Sequence, residues 1–147
     1  IAPGGGNPMH VHKAFAETFT SLKGILGVRV ENRKLYLKPG DSVTVPVNTP
    51  HCFFNDSHEV VVCHVKFEPG HDGFMQGLAI AYGLPADGKT NAKGIPTNIT
   101  YLALIMDMTD TRPTGVISII TPLLKWLAAR AKKKGVDKAL LKRYYYA

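Results

Sequence analysis

With only two cysteines in 147 residues, the chain cannot be a disulfide-dense scaffold. It has no run of eighteen apolar residues, so a spanning helix is not expected. There is no internal repeat and, beyond Lys132–Lys134, no low-complexity segment. Acidic residues are scarce at one end. Residues 122–147 hold one acid, Asp137, against eight bases, while residues 1–121 hold ten of each. The net charge of +7 thus lies wholly in the last 26 residues, and the electrically balanced body argues against a nucleic-acid-binding protein. The basic tail reads first as a solvated helix face and second as a surface for anionic lipid, nucleic acid or an acidic partner. An initiator Met is also absent from Ile1-Ala2-Pro3-Gly4-Gly5-Gly6. Residues are therefore expected upstream, and with no signal peptide visible the expected location is cytoplasmic.

What remains is the material of one folded domain. A 45% hydrophobic and 20% charged composition excludes a mostly disordered chain. A chain of this size hides roughly two thirds of its unfolded surface.

The pattern changes near residue 70. Before it, Ile25–Val30, Lys34–Leu37, Ser42–Val45, Cys52–Phe54 and Val60–Phe67 read as short strands. Turn signals separate them, including Glu31-Asn32, Pro39-Gly40-Asp41 and Asn55-Asp56-Ser57. Gly24 is expected to close a hairpin after the strand that carries Glu17. Short strands at this spacing suggest a sandwich or barrel. After residue 70 the period becomes helical. Phe74, Leu78 and Tyr82 recur behind a candidate cap, Asp72, and Leu84–Gly94 reads as a loop. A second helix follows Pro96, with Ile99, Leu102, Ala103 and Met106 on one face. Val116, Ile119, Ile120, Leu123, Leu124, Leu127 and Ala131 form a third stripe. Pro122 either kinks that helix or starts a new one, and Gly135 ends it.

The chemistry concentrates in His10-Val11-His12. On a strand, residues two apart share a face, about 6.6 Å apart along the chain, so both imidazoles can converge on one ion. The alternation Glu17, Phe19, Ser21 holds the Glu17 carboxylate on an inner face, and His51 comes from a later strand. Three imidazoles and a carboxylate suit one divalent transition ion, with Fe, Mn, Zn, Ni, Co and Cu not distinguishable. Four protein ligands leave open positions for water, dioxygen or a substrate oxygen.

These residues resemble the two motifs of the cupin superfamily. Gly4, His10, His12, Glu17 and Gly24 match the first, and Gly40, Pro46, His51 and Asn55 match the second. Asn48 stands where the second motif has glycine, in a left-handed position that Asn tolerates. The resemblance implies a mainly β fold with added helices: a double-stranded β-helix (jelly-roll barrel) followed by C-terminal helices. It implies His10, His12, Glu17 and His51 as metal ligands. The division expected is a barrel over residues 1–68 and a helical extension over 69–147, packed on the barrel or on a partner subunit. The tail is similar to those of bacterial cupin-domain proteins.

Two functional readings follow. In one, the chain is a metal-dependent oxygenase, isomerase or lyase acting on a small molecule. In the other, it is a non-catalytic ligand-binding or sensing cupin. Phe19, Tyr36 and Phe53 are candidates to line the cavity, with core packing as the plain alternative. His64 is a candidate base or partner of the metal ligands if it faces inward, and an outer-sheet residue otherwise. Cys52 and Cys63 read as free thiols, His58 and His71 as surface, and Asp107 as helix surface. A homodimer is expected, and no nucleic acid. The apolar stripe of residues 116–131 reads first as a docked helix and second as an interfacial membrane helix, with Trp126 and Tyr144–Tyr146 suited to headgroups.

Overall fold

In the computed structural model, which describes residues 1–146 with the side chain of Ile117 excepted, the strands form two antiparallel sheets. They are β1 (His10–Val11), β2 (Ala16–Lys23), β3 (Leu26–Val30), β4 (Arg33–Leu37), β5 (Ser42–Val45), β6 (His51–Phe54) and β7 (Val62–Glu68). An eighth, β8, spans Arg112–Pro113. One sheet has the order β4-β3-β6-β1-β8 and the other β5-β2-β7. The chain divides into two compact units: Ile1–Gly70 with Pro113–Gly115, and His71–Arg112 with the remainder. Residues 113–115 thus return to the barrel unit, where Thr114 Oγ1 donates to the Met9 carbonyl at 3.3 Å.

Alternation builds the barrel core. In β2, Glu17, Phe19 and Ser21 are buried while Thr18 and Thr20 are only half-buried. Phe19, Leu26, Val28, Val45 and Val61 meet between the sheets, each contributing ~1.5–3 kcal/mol by its burial. The Gly24 turn corrects the expected hairpin. β2 pairs with β5 and β7, whereas β3 pairs with β4 and β6. Gly24, at φ 75°, therefore carries the chain from one sheet to the other, with Val61 packed beneath it.

The second unit holds α1 (Asp72–Ala86), α2 (Ile99–Met108), α3 (Thr121–Lys133) and α4 (Val136–Tyr144). Its core gathers Ile80, Leu84, Leu104, Leu124, Ala128 and Leu140. The cap of α1 is His71 rather than Asp72: its Nδ1 accepts from the Phe74 N–H at 3.0 Å. The helix runs on through Leu84 and Pro85, which the sequence assigns to a loop. Its buried face is Gly77, Ile80 and Leu84, while Tyr82 is exposed. A Cβ on Gly77 would lie 2.5 Å from the Thr109 methyl, so this glycine sets the face by letting α2 approach. A hydrophobicity count does not register it. In α2, capped by Asn98, the buried residues are Ala103, Leu104 and Met108, and Ile99 is exposed. The helix packs against both α1 and α3, so its buried arc is turned from the expected one.

The third stripe divides. A 3₁₀ segment, Gly115–Ile120, precedes α3, which starts at Thr121 with Pro122 in its first turn. Leu124, Ala128 and Ala131 are buried, but Val116, Ile119, Ile120 and Leu123 are exposed. Gly135, at φ 70°, breaks the chain between α3 and α4. No helix among the described residues is long and apolar enough to cross a membrane.

Asp87, at the end of α1, ties that helix to α4. Arg143 donates to it twice, Nε and Nη2 each at 2.7 Å, and the Tyr144 hydroxyl donates to the same carboxylate. The Arg143 guanidinium and then the Tyr144 hydroxyl hold the Asp87 carboxyl well below the usual carboxylate range. A depressed folded-state pKa stabilises the protein above the unfolded value, and that contribution fades as pH falls below about 4. Asp87→Asn is thus expected to lower the helical melting temperature at pH 7, with the deficit shrinking as pH falls through 4 toward 2. Circular dichroism melts across that range check this; a deficit independent of pH would refute it.

Candidate metal centre

The site forms where β1, β2 and β6 meet. His10 and His51 are directly paired residues of β1 and β6, so their side chains emerge side by side on one face. His12 follows on the same face after one intervening residue, and Glu17 enters from β2 in the opposite sheet. Asn48 sits at φ 60°, and its N–H donates to the His12 carbonyl at 2.7 Å. That turn delivers the β6 strand to its place beside β1. One ligand atom from each of His10, His12, Glu17 and His51 lies within 4.8 Å of all the others. None of the four residues is more than 6% exposed.

Hydrogen bonds fix the tautomers of His10 and His51. His10 Nδ1 lies 2.8 Å from the Pro8 carbonyl and His51 Nδ1 lies 2.8 Å from the Thr49 carbonyl. A carbonyl only accepts, so each Nδ1 carries a proton and donates it. In the neutral ring this leaves the Nε2 lone pair free. Burial, reinforced by the His51 and His12 rings, pushes the His10 imidazole down to about 4, so it is neutral at pH 7. The ligand atoms face one another: His10 Nε2 lies 3.0 Å from His12 Nε2, and His51 Nε2 lies 2.6 Å from Glu17 Oε2. His12 Nε2 is 3.5 Å from the same carboxylate oxygen. Donor atoms this close and this buried need hydrogens or a cation between them. A proton can bridge one pair, whereas a divalent ion satisfies all four, so the donor set fits such an ion.

The wall around the cluster is aromatic. Phe15 stacks on His12 with centroids 4.6 Å apart, Phe19 lies 6.0 Å from His51, and Phe53 lies 6.1 Å from Phe19. Phe15 was missed by the sequence reading, although it belongs to the alternation Phe15, Glu17, Phe19.

Two expected pocket residues turn out to face elsewhere. Tyr36 is half-exposed, and its hydroxyl donates to Asp56 Oδ2 at 2.9 Å. In β4 it is Leu37 that turns inward. His64 lies on the exposed face of β7 opposite Thr20, because Val61 in the core fixes Cys63, Val65 and Phe67 as the inward set. Both cysteines are free and partly buried, and burial pushes each thiol up.

The family model of the cupin domain matches residues 1–67, so this segment of the chain is similar to the cupin superfamily. Quercetin 2,3-dioxygenase of Bacillus subtilis is 39% identical over 73 residues, 50% of this chain and 22% of that enzyme. This chain therefore spans about a fifth of the length of that curated relative. Among solved structures, a putative sugar phosphate isomerase from Acidithiobacillus ferrooxidans is 33% identical at a TM-score of 0.42, covering 44% of this chain and 43% of its own. KdgF from Halomonas sp. is 25% identical at a TM-score of 0.44, covering 49% and 66%.

Proposed function

We propose that His10, His12, Glu17 and His51 hold one divalent transition-metal ion, and that the protein acts on a small organic molecule through the coordination positions left open. The observation that carries this reading is the convergence of four buried donors with the His10 and His51 Nδ1 protons already committed to backbone carbonyls. Such carbonyl bonds orient a ligand ring and raise its basicity. When bound, the ion would supply Lewis-acid or dioxygen-activating chemistry. The chain itself contributes orientation through Pro8 and Thr49, one negative charge through Glu17, and exclusion of water through Phe15, Phe19 and Phe53.

Within the enzyme reading, an oxygenase-like reaction is favoured over an isomerase or lyase. Proton abstraction needs a base within reach of the substrate. The other buried polar side chains described in the barrel unit are Ser21 and Asn55. Ser21 donates to the Gly24 carbonyl at 2.8 Å, and Asn55 donates to the Ile1 and Glu59 carbonyls. Neither side chain takes up a proton at pH 7, and His64 and Tyr36 face outward. The likeness over 73 residues to quercetin 2,3-dioxygenase supports the same choice. The competing reading, a non-catalytic ligand-binding cupin, rests on this same lack of a base.

The test is elemental analysis of protein purified without added metal or a metal-binding tag. About one transition ion per chain is expected, followed by dioxygen uptake with flavonols or another member of a small-molecule panel. No bound metal after incubation with a series of divalent ions would overturn the metal reading. Tight retention of a molecule without turnover would favour the binder.

A further inference from the structure

The exposed face of the 3₁₀ segment and α3 is ordered by polarity along its length. Val116 and Ile119 are 83% and 76% exposed, and Ile120, Leu123 and Trp126 follow on the surface. Beyond them come exposed Arg130 and Lys134. At about 100° per residue, the exposed Leu123, Trp126, Arg130 and Lys134 fall on one side of α3. Leu124, Ala128 and Ala131, which enter the helical core, lie roughly a quarter-turn or more away. The apolar surface is therefore additional to the face α3 needs for its own packing.

Trp126 stands at the junction, with the Arg130 guanidinium 5.4 Å from its ring centre. From there an open groove of about 440 Å³ runs between Tyr101, Trp126, Arg130 and Lys134. Lys132 and Arg143 are ion-paired with Asp107 and Asp87. Lys125, Arg130, Lys133 and Lys134 form no ion pair among the described residues.

We propose that this face docks on an anionic phospholipid bilayer. Val116, Ile119 and Leu123 enter the acyl boundary, Trp126 rests at the headgroup level, and Arg130 and Lys134 hold lipid phosphates. Charge complementarity selects this occupant. A second copy laid face to face would bring two strongly basic tails together, against their mutual repulsion. A nucleic acid would meet the cations and leave the apolar end in water. A bilayer satisfies both ends in the order in which they occur.

The single tryptophan of the chain is the probe. The full chain is mixed with vesicles of 30% phosphatidylglycerol in phosphatidylcholine, and with phosphatidylcholine alone. Sedimentation with the anionic vesicles is expected, together with a blue shift of Trp126 emission and quenching by brominated acyl chains. Arg130→Gln with Lys134→Gln is expected to weaken partitioning roughly thirty-fold, since each surface cation contributes about 1 kcal/mol. Ile119→Ser with Leu123→Ser, both at exposed positions that leave the helical core intact, is expected to abolish the quenching.

Absence of the chain from the anionic vesicle pellet would overturn the proposal. So would equal binding to neutral vesicles, or a lipid-independent dimer that Ile119→Ser with Leu123→Ser dissolves. None of these readouts depends on metal content.

Discussion

His51→Ala is expected to abolish stable metal loading while the barrel remains folded. The substitution removes one of three ring nitrogens and the group nearest the Glu17 carboxylate, 2.6 Å away. Disturbing only the orientation of a metal ligand lowers affinity by about 10–100-fold, so losing the donor itself will cost at least that much. The structural cost is smaller. His51 is 2% exposed, and truncating a buried ring leaves a void costing ~2–5 kcal/mol in comparable sites. The remaining core of Phe19, Leu26, Val28, Val45 and Val61 is untouched. Metal analysis and circular dichroism on one sample separate the two effects. Full occupancy in a folded His51→Ala protein would remove His51 from the ligand set.

The second large effect is expected in the helices. Leu104 is fully buried among Ile80, Leu84 and Leu124, and Leu104→Ala is expected to destabilise the helical unit by ~2–5 kcal/mol. Trp126 lies in α3, so its fluorescence follows the denaturant transition of this unit. Metal stoichiometry should be unchanged in native buffer, because all four donors belong to the other unit. Parallel loss of metal and of helical stability would show that the two units do not behave separately.

The spacing of His10, His12 and Glu17 is readable from the chain because it is short-range: alternation on strands places all three side chains inward. The place of His51 is a long-range fact, fixed by the pairing of β1 with β6; residue type suggested it as a fourth ligand, and the family resemblance implied its place. The outward turn of His64 was not legible, since both faces of its strand are largely apolar and the choice is made by Val61 in the core. Tyr36 misled for a similar reason, because an aromatic residue on a strand announces burial whether or not its hydroxyl has a partner outside. In the helices the misreadings come from counting hydrophobes alone. Gly77 defines a face by what it lacks, and the stripe through Val116 and Leu123 has helical period without being core.

The return of residues 113–115 to the barrel gives the chain an awkward order of birth. The strand that carries His10 is synthesised early, yet β8, its neighbour in the sheet, leaves the ribosome only after α1 and α2. At ~5–20 residues per second, β1 waits roughly five to twenty seconds after its own synthesis for that neighbour. An open strand edge invites pairing with other chains. A fragment stopped at residue 70 would keep every metal donor and make that wait permanent.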